Sequence, residues 1–123
     1  MSEPALISIV DDDESIREAL QSLLRSVGFR AKTFASAEQF LQSDQIETTA
    51  CLILDVRMPG MSGLELQRRL MATQYRIPIV FVTAHGDEEA RSRALQAGAV
   101  EFLLKPFSEE ALLNAIEAAL PAQ

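Results

Sequence analysis

The sequence has little cysteine, no excess of positive charge and no long hydrophobic run. Its one cysteine, Cys51, excludes an internal disulfide, which is typical of a reducing, cytoplasmic compartment. A formal net charge of −7 disfavours direct nucleic-acid binding, because such binding needs a basic surface. No apolar run approaches the length of a membrane span, and the first residues lack the pattern of a signal peptide. We therefore expect a cytoplasmic protein without membrane insertion.

The glycine-rich fingerprints of P-loop and Rossmann nucleotide sites are also missing. What remains is an ordinary globular balance, with 48% hydrophobic and 24% charged residues in a chain of 123. A chain of this length buries one sizeable core. We expect residues 1–123 to form a single domain, either complete or the N-terminal part of a longer protein.

Short apolar segments alternate five times with segments of helical period. The predicted strands are residues 5–10, 30–34, 51–54, 77–82 and 100–104. The predicted helices follow each of them, with starts marked by Ser36, Ser62, Asp87 and Ser108 and two ends marked by Gly28 and Gly98. This alternation predicts an α/β fold, with a five-stranded parallel sheet covered by five helices. The order of the strands cannot be read from the pattern alone.

Polar residues follow four of the predicted strands. The first strand ends in Asp11-Asp12-Asp13, the third in Asp55, the fourth in Thr83 and the fifth in Lys105. Because the carboxyl ends of parallel strands lie at one edge of a sheet, we expect these side chains to gather there.

Such a cluster suits phosphoryl transfer. Neighbouring carboxylates repel one another unless a cation lies between them, and a ligand set of oxygen atoms favours Mg²⁺ (or Mn²⁺) over zinc. A carboxylate can attack phosphorus to give an acyl phosphate, while the metal, Lys105 and the Thr83 hydroxyl stabilise the transferring group. Each residue also has a plain structural explanation, such as Asp13 as a helix cap, but their joint occurrence favours chemistry.

These residues resemble the receiver domain of bacterial two-component response regulators. The resemblance covers nearly the whole chain and rests on Asp11-Asp12, on Asp55-Val56-Arg57-Met58-Pro59-Gly60 with Gly63, on Thr83-Ala84, and on Lys105-Pro106-Phe107. The segment from Thr83 to Asp87 is most similar to the nitrogen-fixation-type regulators. The resemblance implies a flavodoxin-like, doubly wound fold with sheet order 2-1-3-4-5, an arrangement for which the chemotaxis member of this family is a standard example.

The resemblance also implies roles for individual residues. Asp55 would accept a phosphoryl group from a sensor histidine kinase or a phosphotransfer protein. Asp12, Asp55 and the carbonyl of Arg57 would bind Mg²⁺ directly, with Asp11 acting through water. Lys105, preceding a cis proline, would bind the phosphoryl group.

A switch pair completes the implied set. We hypothesise that Thr83 moves toward the phosphoryl group and that Phe102 then turns inward. This would change the surface of the fourth helix, fifth strand and fifth helix. An output domain or a second copy of the chain, in a phosphorylation-dependent homodimer, would bind to that surface. Arg57 and His85 would tune dephosphorylation, although His85 is equally compatible with a plain loop residue.

Two alternatives use the same residues. A small phosphohydrolase could use Asp55 as its nucleophile, as haloacid-dehalogenase-type enzymes do, but their second aspartate is replaced by Arg57 here. A flavin-binding electron carrier shares the fold, but three aspartates after the first strand would repel its phosphate. We therefore expect a protein that catalyses only its own phosphotransfer and dephosphorylation.

Overall fold

Five parallel strands form one sheet in the computed structural model, which describes residues 4–84 and 88–120. The strands are β1 (Leu6–Val10), β2 (Arg30–Phe34), β3 (Thr49–Asp55), β4 (Ile79–Thr83) and β5 (Glu101–Leu104). The helices are α1 (Glu14–Ser26), α2 (Ala37–Gln42), α3 (Gly63–Met71), α4 (Glu88–Gln96) and α5 (Glu109–Ala119). The strand order is β2-β1-β3-β4-β5, which confirms the predicted doubly wound fold.

The three central strands are buried on both faces, so their residues are apolar without alternation. Leu52, Leu54 and Phe81 face a core closed by α2, α3 and α4. Ile53 and Val80 face a second core closed by α1 and α5. Both cores end beneath the carboxyl edge of the sheet, which gives the polar residues there a rigid base. No helix in the described ranges is long and apolar enough to cross a membrane.

Side-chain caps begin the helices at the predicted serines. The hydroxyls of Ser36, Ser62 and Ser108 each accept a hydrogen bond from the N–H three residues on. Asp13 caps α1, accepting from the N–H of Ser15, two residues on, at 2.9 Å and from that of Ile16 at 3.4 Å. The predicted cap at Asp87 lies outside the described residues.

Two strand starts differ from the prediction by two residues, and the other strand boundaries agree within one residue. β3 begins at Thr49 rather than Cys51, because the Thr49 hydroxyl is satisfied inside the sheet, 2.7 Å from that of Ser8. β4 begins at Ile79 rather than Ile77, since Pro78 has no N–H and takes part only through its carbonyl, which accepts from Leu52.

Candidate phosphoacceptor and metal site

The carboxyl ends of β1, β3, β4 and β5 meet at one edge of the sheet. Val10 pairs with Leu54, so Asp11 and Asp55 follow side by side on adjacent strands. Thr83 ends β4, and its carbonyl accepts a hydrogen bond from the Lys105 N–H at 2.7 Å. The strand order therefore brings the predicted aspartates, hydroxyl and ammonium group together.

Three carboxylates form the centre of this edge. Asp11, Asp12 and Asp55 each offer an oxygen atom, and these atoms lie within 4.8 Å of one another. Asp11 and Asp55 are buried, whereas Asp12 is exposed. Asp13 is outside this group because its carboxylate caps α1. The first aspartates of the triplet thus belong to the site and the third belongs to the helix.

Lys105 balances part of this negative charge. Its Nζ lies 2.9 Å from Oδ2 of Asp11 and 3.7 Å from Oδ2 of Asp55. Burial lowers the pKa of Lys105, but the hydrogen bond and charge of Asp11, with the charge of Asp55, outweigh burial and raise it above its ordinary value. The ammonium group is therefore charged at neutral pH. The peptide bond from Lys105 to Pro106 is cis, as predicted.

The two buried aspartates differ in what their oxygens contact. Asp11 uses both oxygens, since Oδ1 accepts from the Asp13 N–H at 2.9 Å and Oδ2 accepts from Lys105. Oδ1 of Asp55 is buried and has no hydrogen-bond partner of standard geometry, the one such side-chain atom among the residues described. A buried oxygen without a partner is costly. Asp55 therefore carries the oxygen that is available to a ligand.

The electrostatics of Asp55 favour an additional positive charge. Burial, and then repulsion from Asp11, raise the pKa of Asp55 above its ordinary value. Three groups lower this pKa without cancelling the rise: the Lys105 ammonium group and the backbone N–H groups of Arg57 and Val56. A hard cation would relieve both the repulsion and the unpartnered oxygen, and the three oxygen donors are those that Mg²⁺ prefers. The residues present thus fit a divalent metal ion.

The loop after Asp55 is held close to the site. The Gly63 N–H donates to the carbonyl of Val56 at 2.9 Å. A Cβ atom on Gly63 would collide with the carbonyl oxygen of Asp55, so only glycine fits there. Two further contacts near the site were not predicted from the sequence. Arg17 donates to the carbonyl of Asp11 at 2.8 Å, and Glu38 accepts from the N–H of Met61 at 3.0 Å. No spacing signal indicates either, because both depend on the tertiary fold.

Thr83 and Phe102 lie on the neighbouring strands β4 and β5. Thr83 is fully buried, and Phe102 is 6% exposed, with its ring centroid 6.0 Å from that of Phe81. The inward position that we expected only after phosphorylation is therefore already present in this structure. The Arg57 residue is exposed at the mouth of the site. His85 lies outside the described residues.

A buried aspartate with an available oxygen, two flanking carboxylates and a lysine lie at the carboxyl edge of a 2-1-3-4-5 sheet, an arrangement suited to phosphoryl transfer. The comparisons with known proteins specify the family. Residues 7–117 match the response regulator receiver domain, and the chain belongs to that family.

Its relatives are response regulators. The response regulator protein TmoT of Ectopseudomonas mendocina is 52% identical over 116 residues, covering 94% of this chain and 53% of that protein. The transcriptional regulatory protein FixJ of Bradyrhizobium diazoefficiens is 41% identical over 93% of this chain and 56% of that protein, in line with the predicted subfamily. The structure of the response regulator StyR has a TM-score of 0.88 at 55% identity, covering 97% of this chain and 60% of that chain. The chain thus spans about half the length of the curated relatives it matches.

Proposed function

We propose that this receiver domain accepts a phosphoryl group on Asp55 and thereby operates as a signalling switch. The observation that carries the proposal is the buried, unpartnered Oδ1 of Asp55. The same carboxylate is grouped with those of Asp11 and Asp12, and its Oδ2 lies 3.7 Å from Nζ of Lys105. Each part of this set has a counterpart in the chemistry of phosphoryl transfer, which needs a positioned nucleophile and positive charge near the transferring oxygens.

Asp12, Asp55 and the backbone carbonyl of Arg57 are the proposed direct ligands of Mg²⁺ (or Mn²⁺), with Asp11 acting through water. The contacts of Asp11 support its indirect role, because both of its oxygens already accept hydrogen bonds. When bound, the ion supplies positive charge that offsets the acidic cluster and the phosphoryl oxygens.

In the proposed transfer, a carboxylate oxygen of Asp55 forms a bond to phosphorus. The bond between phosphorus and the donor group breaks at the same time, and the donor leaves with the electron pair of that bond. Lys105 exchanges its contact with Asp55 for one with a phosphoryl oxygen, and the Thr83 hydroxyl donates a hydrogen bond to another. These charge-assisted contacts stabilise the product.

The proposed switch is a change in the populations of two arrangements of Thr83, Phe102 and α4. Because Phe102 is already inside, phosphorylation would select this arrangement rather than create it. Among the described residues of α4, Ala90 and Ala94 are its buried side chains, both small, and the Gln67 side chain donates a hydrogen bond to the Ala94 carbonyl at 3.1 Å. Such small side chains anchor a helix lightly. Shifting such an equilibrium from mostly off to mostly on requires about 5.5 kcal/mol of differential binding.

The proposed partners follow from the family. We expect a sensor histidine kinase or phosphotransfer protein as donor, within a cytoplasmic phosphorelay. An output domain joined to this one, or a phosphorylation-dependent homodimer, would read the altered surface of α4, β5 and α5. This domain itself would contact neither nucleic acid nor membrane, and would catalyse only its own phosphorylation and dephosphorylation. In this proposal residues 1–123 are the receiver part of a longer regulator.

Intact-mass spectrometry after incubation with acetyl phosphate tests the proposal. We expect the mass of one phosphoryl group to be added in Mg²⁺ but not in EDTA, to persist in Asp44→Asn, and to be lost in Asp55→Asn. Equal Mg²⁺-dependent incorporation in wild type and Asp55→Asn would refute the assignment of Asp55. Multiple turnover of a phosphomonoester would instead indicate a phosphohydrolase, an alternative that Arg57 at the position of the second aspartate does not favour.

A further inference from the structure

Glu38, on α2, lies far from Asp55 in sequence but contacts the loop that follows it. This loop, residues 56–62, joins β3 to α3 and includes Arg57, whose carbonyl is a proposed ligand. Oε2 of Glu38 accepts a hydrogen bond from the Met61 N–H at 3.0 Å. The loop is thus tied to a helix that takes no other part in the site.

Gly60 shows how closely the loop approaches this carboxylate. Its φ is +79°, a left-handed conformation that favours glycine, and a Cβ atom placed on it would lie 2.7 Å from Oε2 of Glu38. The next side chain, Met61, is 9% exposed and packs into the core beneath α2 and α3. The backbone conformation at Gly60 and Met61 therefore satisfies the contact, the turn and the packing together.

The Glu38 carboxylate is itself held in place. Its own backbone N–H, and then the N–H of Met61, lower its pKa below the ordinary value, and the charge of Arg69 on α3 adds to this. The side chain is therefore ionised at neutral pH and gives the Met61 N–H a charged acceptor, which makes a stronger bond than a neutral one.

Two contacts then fix the loop between Asp55 and α3. One is the bond from the Gly63 N–H to the Val56 carbonyl, at the base of the loop. The other is the bond between Glu38 and Met61, at its far side. Loss of the second contact would remove the charged tie between the loop and α2, in a segment where Met58 through Gly60 are at least partly exposed.

We propose that Glu38 is a positioning residue for the metal site, acting through the Met61 N–H to hold the loop that presents the Arg57 carbonyl. This inference rests on the proposed Mg²⁺ site. Outer contacts that orient metal ligands commonly change metal affinity about tenfold or more when removed. Glu38 would therefore alter Mg²⁺ affinity without touching the ion.

The test compares Glu38→Ala and Glu38→Gln with Gln42→Ala, an exposed residue of the same helix. Hydrogen exchange of the Met61 amide, measured by NMR, reports the contact itself, and an NMR titration with MgCl₂ reports the affinity. In Glu38→Ala we expect faster exchange at Met61 and a Mg²⁺ dissociation constant raised about tenfold. Glu38→Gln should recover much of the slow Met61 exchange and much of the Mg²⁺ affinity, because its amide oxygen still accepts the hydrogen bond. Gln42→Ala should match wild type in both measurements.

A Mg²⁺ dissociation constant within twofold of wild type in Glu38→Ala would overturn the proposal, as would an equal weakening in Gln42→Ala. If Glu38→Ala is too unstable to assay, the same two measurements are made on Glu38→Gln. Faster Met61 exchange and weaker Mg²⁺ binding, each to a smaller extent than expected for alanine, would support the proposal. Unchanged exchange and unchanged affinity would contradict it. Neither measurement involves phosphorylation. Failure of acetyl phosphate to label wild type would therefore count against the proposed function while leaving this test intact.

Discussion

Replacing Asp55 by asparagine should stabilise the metal-free protein, although it abolishes the proposed phosphorylation. The oxygens of Asp11 and Asp55 lie within 4.8 Å, which at an effective dielectric constant of about 20 corresponds to a repulsion of at least about 3.5 kcal/mol. The attraction between Asp55 and Lys105 at 3.7 Å is about 4.5 kcal/mol on the same scale. Asp12 lies within the same distance but is exposed, so solvent screens its repulsion. The charge interactions among the buried groups therefore nearly cancel.

What remains is the burial of a charged oxygen without a hydrogen-bond partner, which costs about 1–3 kcal/mol. We therefore expect Asp55→Asn to raise the free energy of unfolding by about 1–3 kcal/mol in EDTA at pH 7.5, or the melting temperature by about 3–5 °C per kcal/mol. Because the folded-state pKa of Asp55 is raised, its stabilising protonated form is present at low pH and lost as the pH rises through that pKa. The difference in free energy of unfolding between Asp55→Asn and wild type should thus become smaller as the pH falls toward about 4.

Urea denaturation of wild type, Asp55→Asn and the exposed control Asp44→Asn measures these differences. Mg²⁺ at ten times its dissociation constant should raise the free energy of unfolding of wild type by about 1.4 kcal/mol. The same Mg²⁺ concentration should stabilise Asp55→Asn less, because a ligand has been removed. A lower stability of Asp55→Asn than of wild type in EDTA would refute the reasoning, as would an equal gain in Asp44→Asn.

Three further predictions concern single positions. Lys105→Met should lower the free energy of unfolding by about 3 kcal/mol in EDTA, because it leaves Asp11 and Asp55 buried without a cation. A loss of less than about 1 kcal/mol in a urea titration would contradict this. Gly63→Ala should cost about 2–3 kcal/mol, because its Cβ would collide with the Asp55 carbonyl; thermal melting checks this, and an unchanged melting temperature would be inconsistent with the packing. Burial raises the pKa of Cys51 to about 12, so a thiol reagent at pH 8 should modify it only as fast as the protein unfolds, and rapid labelling of the native protein would show that the core is open.

The sequence predicted much of the fold because the signals are local. Buried strands are apolar throughout, and Ser62 precedes its helix at cap spacing, so element types follow from the chain itself. The edge that gathers Asp11 and Asp55 follows from parallel strands, whatever their order. The order 2-1-3-4-5 came from the resemblance instead, because several right-handed topologies satisfy the same alternation.

The remaining features depend on the tertiary structure. Thr49 is polar and reads as a loop, but its hydroxyl is satisfied by Ser8 on the adjacent strand. The contact of Glu38 with Met61 joins two elements whose approach is set by the packing of α2 on the sheet. The inward position of Phe102 is likewise a matter of packing against Phe81. None of these has a spacing that a single sequence displays.

The most direct test of the central claim is a crystal structure grown with MnCl₂ and beryllofluoride, read by anomalous scattering. We expect one manganese ion in contact with the carboxylates of Asp12 and Asp55, with the beryllofluoride on an Asp55 oxygen and Lys105 beside it. Manganese bound away from Asp55, or beryllofluoride absent from that side chain while the ion is in place, would contradict it.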